Sequence, residues 1–290
     1  MGPGWELMQH MFDKRRTASQ MSSRRRRLRL LRRVALLALA VCGAKVVVHR
    51  FGLELFSVNP LFTAMVASTF FLVSFLLSGV LTDYKESEKI PGLIASSLET
   101  LYLEIQGILI HHPGVTIDAE ARALVGLGRA VHSWMIERVS TQEVYDCYWN
   151  THGQIVRAST YLSSSTLQGR LMGEMSALLS QVNRVQVIRE TNFVPLVNWM
   201  ADIAALFLCG GLVFQRSSSM VESVFFLFVL TFLLVFLKKL IDDIDNPFGW
   251  VDPNSAEDVS LDVLELALRR LEQALPQAHE APFETMGSKP

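Results

Sequence analysis

Residues 61–81, LFTAMVASTFFLVSFLLSGVL, and residues 196–214, LVNWMADIAALFLCGGLVF, decide how this chain is read. Each is close to the ~20 residues an α-helix needs to cross hydrocarbon, and neither contains a lysine or arginine. Each has a weaker apolar companion. Val34 to Val48 carries Lys45 inside it, and Ser223 to Leu237 is strongly apolar but short. The latter needs Met220, Val221 and the Lys238-Lys239 pair snorkelling to the interface to complete a crossing. Four spans in two pairs predict an all-α membrane protein. Its basic cytosolic segment covers 1–33, spans 1 and 2 lie in 34–82, a cytosolic helical domain fills 83–195, spans 3 and 4 lie in 196–240, and a C-terminal turn, helix and tail occupy 241–290.

Charge sets the orientation. The formal net charge is only −1, but Lys14, Arg15, Arg16, Arg24 to Arg27, Arg29, Arg32 and Arg33 all precede the first span. Lysine and arginine stay on the cytoplasmic side, so both termini are expected inside, with the links Arg50 to Pro60 and Gln215 to Met220 outside. An Arg-rich organelle transit peptide is the competing reading. Trp5, Glu6 and Asp13, and the lack of a cleavage-like boundary, speak against it. The cell (inner) membrane is the expected location, with an organelle membrane as the alternative. No aromatics interleave the arginines, so anionic lipid headgroups, not nucleic acid, are the expected partner of this run.

Between the span pairs the period is helical throughout. Pro91 to Ile110 breaks at His111-His112-Pro113-Gly114. Thr116 is the expected cap of a helix over Ile117 to Val139, with Ala121, Leu124, Leu127, Val131, Met135 and Val139 on one face. Ser140 and Glu143 form a capping box that opens a third helix towards Tyr161. Leu167 to about Arg189 forms a fourth. Each is amphipathic and must bury one face.

Catalytic or metal chemistry finds little support. His111 and His112 are adjacent, so their side chains diverge, and they sit at a Pro-Gly break. Cys147 and His152 are five apart, poor spacing for a nucleophile and its base on one helix. Gly126-Leu127-Gly128 follows no strand and is not a nucleotide fingerprint. Cys42, Cys147 and Cys209 have no paired spacing, so neither a disulfide framework nor a zinc site is expected. No cofactor is implied. What does stand out is polar chemistry in apolar surroundings. Asp202 lies about two turns into the third span, where it must face water or find a partner; Lys45 and Asn198 are the candidates. The second span carries Val66, Phe70 and Ser74 at every fourth position. A stripe of this kind lines a dehydrated constriction when several copies surround an axis, or else packs against lipid and core.

Three stretches resemble the bestrophin family. They are Thr82 to Pro91 after the second span; Gly173-Glu174-Met175 followed by Phe193-Val194-Pro195-Leu196-Val197; and Asp245-Asn246-Pro247-Phe248-Gly249 followed by Val259-Ser260-Leu261-Asp262-Val263 and an amphipathic helix. The resemblance covers about Arg33 to Leu275. It implies a homopentameric channel for small anions, chloride or bicarbonate, with a central pore lined by the second span and a cytosolic vestibule. Counting back from Pro91 places Val66, Phe70 and Ser74 at the family's narrow neck, and Leu167, with Thr166 next, at its cytosolic aperture. Asp83-Tyr84-Lys85 stands where the family usually has arginine and aromatics. Trp250 to Pro253 replaces the acidic calcium clasp of animal members, so no such clasp is expected. Ser74 replaces a bulky apolar residue and predicts a wetter neck. A non-conducting, membrane-anchored interaction or signalling protein of the same fold is the alternative.

The orientation has a direct check. A cysteine introduced between Gln215 and Ser219 should react with an impermeant reagent added from outside; labelling only from the cytoplasmic side would overturn the four-span reading.

Overall fold

A computed structural model describes residues 3–57, 59–112, 114–190, 195–217, 219–248 and 258–275, with the side chains of 3–26, His111 and Pro195 excepted. Among these residues the chain is all helical apart from one two-residue strand pair. In order come α1 Pro3–Arg50, β1 Phe56–Ser57, α2 Pro60–Ser87, α3 Ile90–His111, α4 Asp118–Met135, α5 Thr141–Ser159, α6 Ser165–Glu190, α7 Pro195–Phe214, β2 Gln215–Arg216, α8 Met220–Ile244 and α9 Asp262–Ala274. Helical stretches within Pro60–Ile110, Leu196–Phe214 and Met220–Ile244 are long and apolar enough to cross a membrane. The apolar part of α1 falls outside that set, since Arg33, Lys45 and Arg50 crowd its short run.

The chain forms two compact units. The first comprises Met1–Lys89 and Arg184–Ser260. Within it α1 and α2 each pack on both α7 and α8. α8 buries Leu227, Thr231, Leu234, Lys238 and Ile241, a stripe at spacings of four and three that puts one face inward. α1 does the same with Val34, Ala38, Cys42, Lys45 and Val48. Gly211 allows α7 to close on α2, because a Cβ there would stand 3.1 Å from the Phe62 ring. β1 and β2 pair in parallel, Phe56 with Gln215 and Ser57 with Arg216. After α8, Phe248 is fully buried, and the Pro247 carbonyl accepts the Val259 N–H at 3.0 Å, which returns the chain towards α9. Gly249 and Trp250 to Pro253 lie outside the described residues.

The second unit comprises Ile90–Asn183 and Leu261–Pro290. α3 buries Ile90, Ile94, Leu98, Leu101, Ile105 and Ile108, and packs on α4 and α9. Two features differ from expectation. α4 begins after Ile117, which makes no side-chain cap, and ends at Met135, leaving Val139 outside the helix. Glu137 takes a left-handed φ of 58°, and the Glu137 and Arg138 N–H groups close onto Trp134 and Ser133 carbonyls. That turn frees Ser140 to open α5, where its hydroxyl accepts the Glu143 N–H at 3.2 Å. The Glu143 carboxylate accepts from the Ser140 hydroxyl at 3.1 Å, a variant of the expected box.

α9 is held to this unit by apolar and charged contacts together. Leu264, Ala267, Leu268 and Leu271 are buried, the Arg129 guanidinium grips Glu272 through two 2.6 Å bonds, and Tyr102 donates to the Ala274 carbonyl at 2.7 Å. Arg129 holds the Glu272 carboxyl below the usual range. The bridge therefore contributes above ordinary carboxylate values and fades as pH falls through the lowered one.

Gly128 sets the distance between α4 and α9. A Cβ there would lie 2.4 Å from Leu268 Cδ2 and 2.9 Å from Leu98 Cδ1, both on fully buried side chains. Gly128→Ala should cost about 1–3 kcal/mol by overpacking, read as a lower melting temperature of the purified protein; an unchanged or raised value would contradict this close approach.

Candidate functional site

α2 begins with an ordered cap. Asn59 Oδ1 accepts the Phe62 N–H at 2.8 Å, and Pro60 takes the first position, where its missing donor costs nothing. No charged residue occurs between Pro60 and Thr82. Threonines inside the run turn back on their own helix. Thr69 donates to the Met65 carbonyl and Thr82 to the Ser78 carbonyl, each at 2.9 Å, which satisfies both hydroxyls without water.

The helix has two contrasting faces. Thr69, Val73, Leu76 and Val80 are buried against the first unit's core. Opposite them run Ala64, Ala67, Phe71, Ser74, Phe75 and Ser78, where Phe71 is 75 % and Phe75 is 63 % exposed. Val66 and Phe70 lie between the faces, half-buried and packed against the core cluster, while Ser74 is exposed. Each step of four residues turns about 40° around the axis. The three therefore wind from the core's edge onto the open face instead of forming a straight line.

Thr166 and Leu167 belong to the other compact unit. Both are exposed in the first turn of α6, which Gln168 tethers by donating to the Leu162 carbonyl at 2.6 Å.

Asp202 meets neither Lys45 nor Asn198 as its charge partner. Lys238 of α8 lies 3.0 Å from its Oδ1, donates to Asn198 Oδ1 as well, and has Asp242 at 3.6 Å. This also corrects the expectation for Lys238. α8 continues to Ile244, so Lys238 lies inside the helix on its buried stripe, and its ammonium turns towards α7. Lys239 stays exposed beside Asp242 at 3.2 Å. The helix bounds account for this pairing. Asp202 is seven residues from the start of α7 and Lys238 six from the end of α8, about 10 Å and 9 Å at 1.5 Å per residue. In antiparallel neighbours those heights match.

At the far end of α2, Arg184 of α6 grips Glu86 through bonds of 2.9 and 2.6 Å and lies 3.8 Å from Asp83. No local pattern signals this pairing, since the partners are almost a hundred residues apart.

Among the described residues, no cluster of three or more His, Cys, Asp or Glu could hold a metal. Burial pushes the Cys147 thiol up, the opposite of what a nucleophile needs. Its neighbours Tyr148 and Trp149 pack edge to face at 5.3 Å.

Likeness to known proteins lies in the fold. No family model matches the sequence, and no curated protein matches it. Solved structures do. A crystal structure of a bacterial bestrophin homolog from Klebsiella pneumoniae, an aspartate-to-alanine variant, superposes with a TM-score of 0.65 at 15 % identity, over 84 % of this chain and 97 % of that one. A tryptophan-to-alanine variant of the bacterial homolog gives 0.68 at 13 % identity over 86 % and 98 %. A structure described only as a membrane protein, a leucine-to-alanine variant, gives 0.70 at 14 % identity over 84 % and 98 %. The chain is a helical integral membrane protein. Its fold is bestrophin-like.

Lys238 generates a test. Asp202→Asn should destabilise the protein by about 1–3 kcal/mol, less than fully orphaning a buried charge because Asn198 and Asp242 remain beside the ammonium. Adding Lys238→Met should recover most of the lost melting temperature. Equal or deeper loss in the double variant would refute the pairing.

Proposed function

We propose that the chain is one subunit of a bestrophin-like channel that passes small anions, chloride or bicarbonate, through a central pore lined by α2 from several copies, five by the family's pattern. The observation that carries this reading is the open face of α2. It is a membrane-length helix that leaves small, hydroxyl and aromatic side chains unpacked on one side and bears no fixed charge along it. Apolar constrictions of this kind gate by dewetting and admit weakly hydrated ions most readily. In this proposal the apolar part of α1 supplies the fourth span, both termini are cytoplasmic, and Val66, Phe70 and Ser74 form the neck, with Leu167 and Thr166 at a second constriction. The arginines before the first span contact anionic lipid headgroups, adding roughly 1 kcal/mol each near a charged leaflet.

One observation favours a second reading, a non-conducting membrane protein that uses the same fold to bind a partner. Val66 and Phe70 spend part of their surface on the subunit's own core, which leaves less of them for a pore. Purified wild-type protein in planar bilayers separates the two, since an anion-selective current supports a channel and silence from an intact oligomer supports a binding role.

Paired substitutions locate the pore face. Phe70→Ala should raise the current about tenfold if removing the ring lowers the barrier by about 1.4 kcal/mol. Phe71→Ala should leave permeation unchanged if Phe71 faces lipid. Leu167→Ala should shift ion preference more than open probability. A large rise from Phe71→Ala with none from Phe70→Ala would move the neck to the Phe71 and Phe75 stripe.

A further inference from the structure

Lys45 lies on the inward stripe of α1 with no solvent exposure. Its Nζ lies 3.0 Å from Glu54 Oε1 and also donates to the Gln215 backbone carbonyl. The same Glu54 oxygen stands 3.0 Å from His49 Nδ1. Glu54 belongs to the link between α1 and α2, and Gln215 opens the link between α7 and α8. Three separate segments thus meet on one ammonium. The backbone adds a short seam there. Leu55 N–H donates to the Phe214 carbonyl at 2.9 Å, and Phe56 and Ser57 pair with Gln215 and Arg216.

Glu54 is the one carboxylate in either link. Lys45 and His49 face it from α1; Arg50 ends that helix, Arg216 lies in β2, and Glu222 sits in the first turn of α8. A two-residue strand pair is too short to hold two links by itself, whereas a buried ammonium strongly penalises any arrangement that takes its carboxylate away.

We propose that Lys45 and Glu54 form a clasp that joins the two links into one mechanical element at this end of the first unit. Glu54 is the releasable half, and the start of α2 shifts only when the clasp opens. Hydrogen bonds from His49 and then Lys45 favour the ionised carboxyl and hold Glu54 below its usual range. A carboxyl lowered on folding stabilises above its unfolded value, near 4.3, and that contribution is lost as pH falls through the lowered value. The clasp therefore stays shut through neutral and mildly acidic conditions and releases only in stronger acid.

Hydrogen exchange of the full chain in nanodiscs, resolved by mass spectrometry, tests this without any ion flow, so its failure is separable from failure of the channel reading. Glu54→Gln should speed exchange about tenfold or more in residues 51–57 and 214–217 together, leaving the middle of α8 unchanged. Adding Lys45→Met removes the stranded charge but restores no clasp, so both segments should stay within about threefold of the Glu54→Gln rate. Wild-type exchange, corrected for its intrinsic pH dependence, should be flat between about pH 5.5 and 8. The clasp is overturned by acceleration of one link alone, by no response to Glu54→Gln, by a double variant that returns to wild-type exchange, or by opening within that pH window.

Discussion

A lysine that points into an apolar helix bundle has to be met by a carboxylate, and the described residues include two such lysines. Lys45 on α1 and Lys238 on α8 both interrupt otherwise apolar buried stripes. Each draws its partners from another part of the chain: Glu54 and Gln215 in one case, Asn198 and Asp202 in the other. The attraction within such pairs largely offsets the cost of drying each ammonium, so their net contribution to stability is modest. Their effect is selective. A rotation of α1, or a slip of α7 past α8, would separate the charges inside low-dielectric surroundings, and apolar side chains alone would resist such slips far less. Helices in a membrane have little hydrophobic reason to prefer one register over another. Fixed charges supply that preference.

α2 is placed by the same frame and remains free of fixed charge itself. One side is committed to the core by Thr69, Val73, Leu76 and Val80, and the Thr69 hydroxyl is satisfied within the helix. Its charges are confined to the end, where Asp83 and Glu86 meet Arg184. The middle of the helix is neutral, and its charge is concentrated at one terminus.

The sequence exposes these features unevenly. Span lengths are legible because hydrocarbon thickness fixes how long an apolar run must be, and the insert helices because a buried face repeats every three to four residues. The Ser140 cap is legible because its partner is three residues away. The end of α4 is not, because it depends on Glu137 adopting a left-handed conformation that nothing in its side chain advertises. The inward turn of Lys238 is hidden because a lysine at the end of an apolar run looks the same whether it reaches for the interface or for Asp202, and the choice depends on how far α8 continues. Period alone also cannot say which side of α2 meets an ion, a lipid or a neighbour. Val66, Phe70 and Ser74 share a spacing but have different surroundings. The family likeness was readable from scattered turns such as Asp245 to Phe248, at an identity to solved structures of only 13–15 %.

α9 closes the face of α3 and α4, yet it is separated from them in sequence by α7 and α8. A ribosome therefore finishes and hands over the last two apolar helices before it makes the residues that complete the second unit. Until Leu264, Leu268 and Leu271 emerge, the side of α4 around Gly128 and the side of α3 around Leu98 lack their cover. Completion of the second unit thus waits on synthesis of α7 and α8, and a nascent chain that stalls after α8 presents an unfinished apolar surface for quality control to recognise.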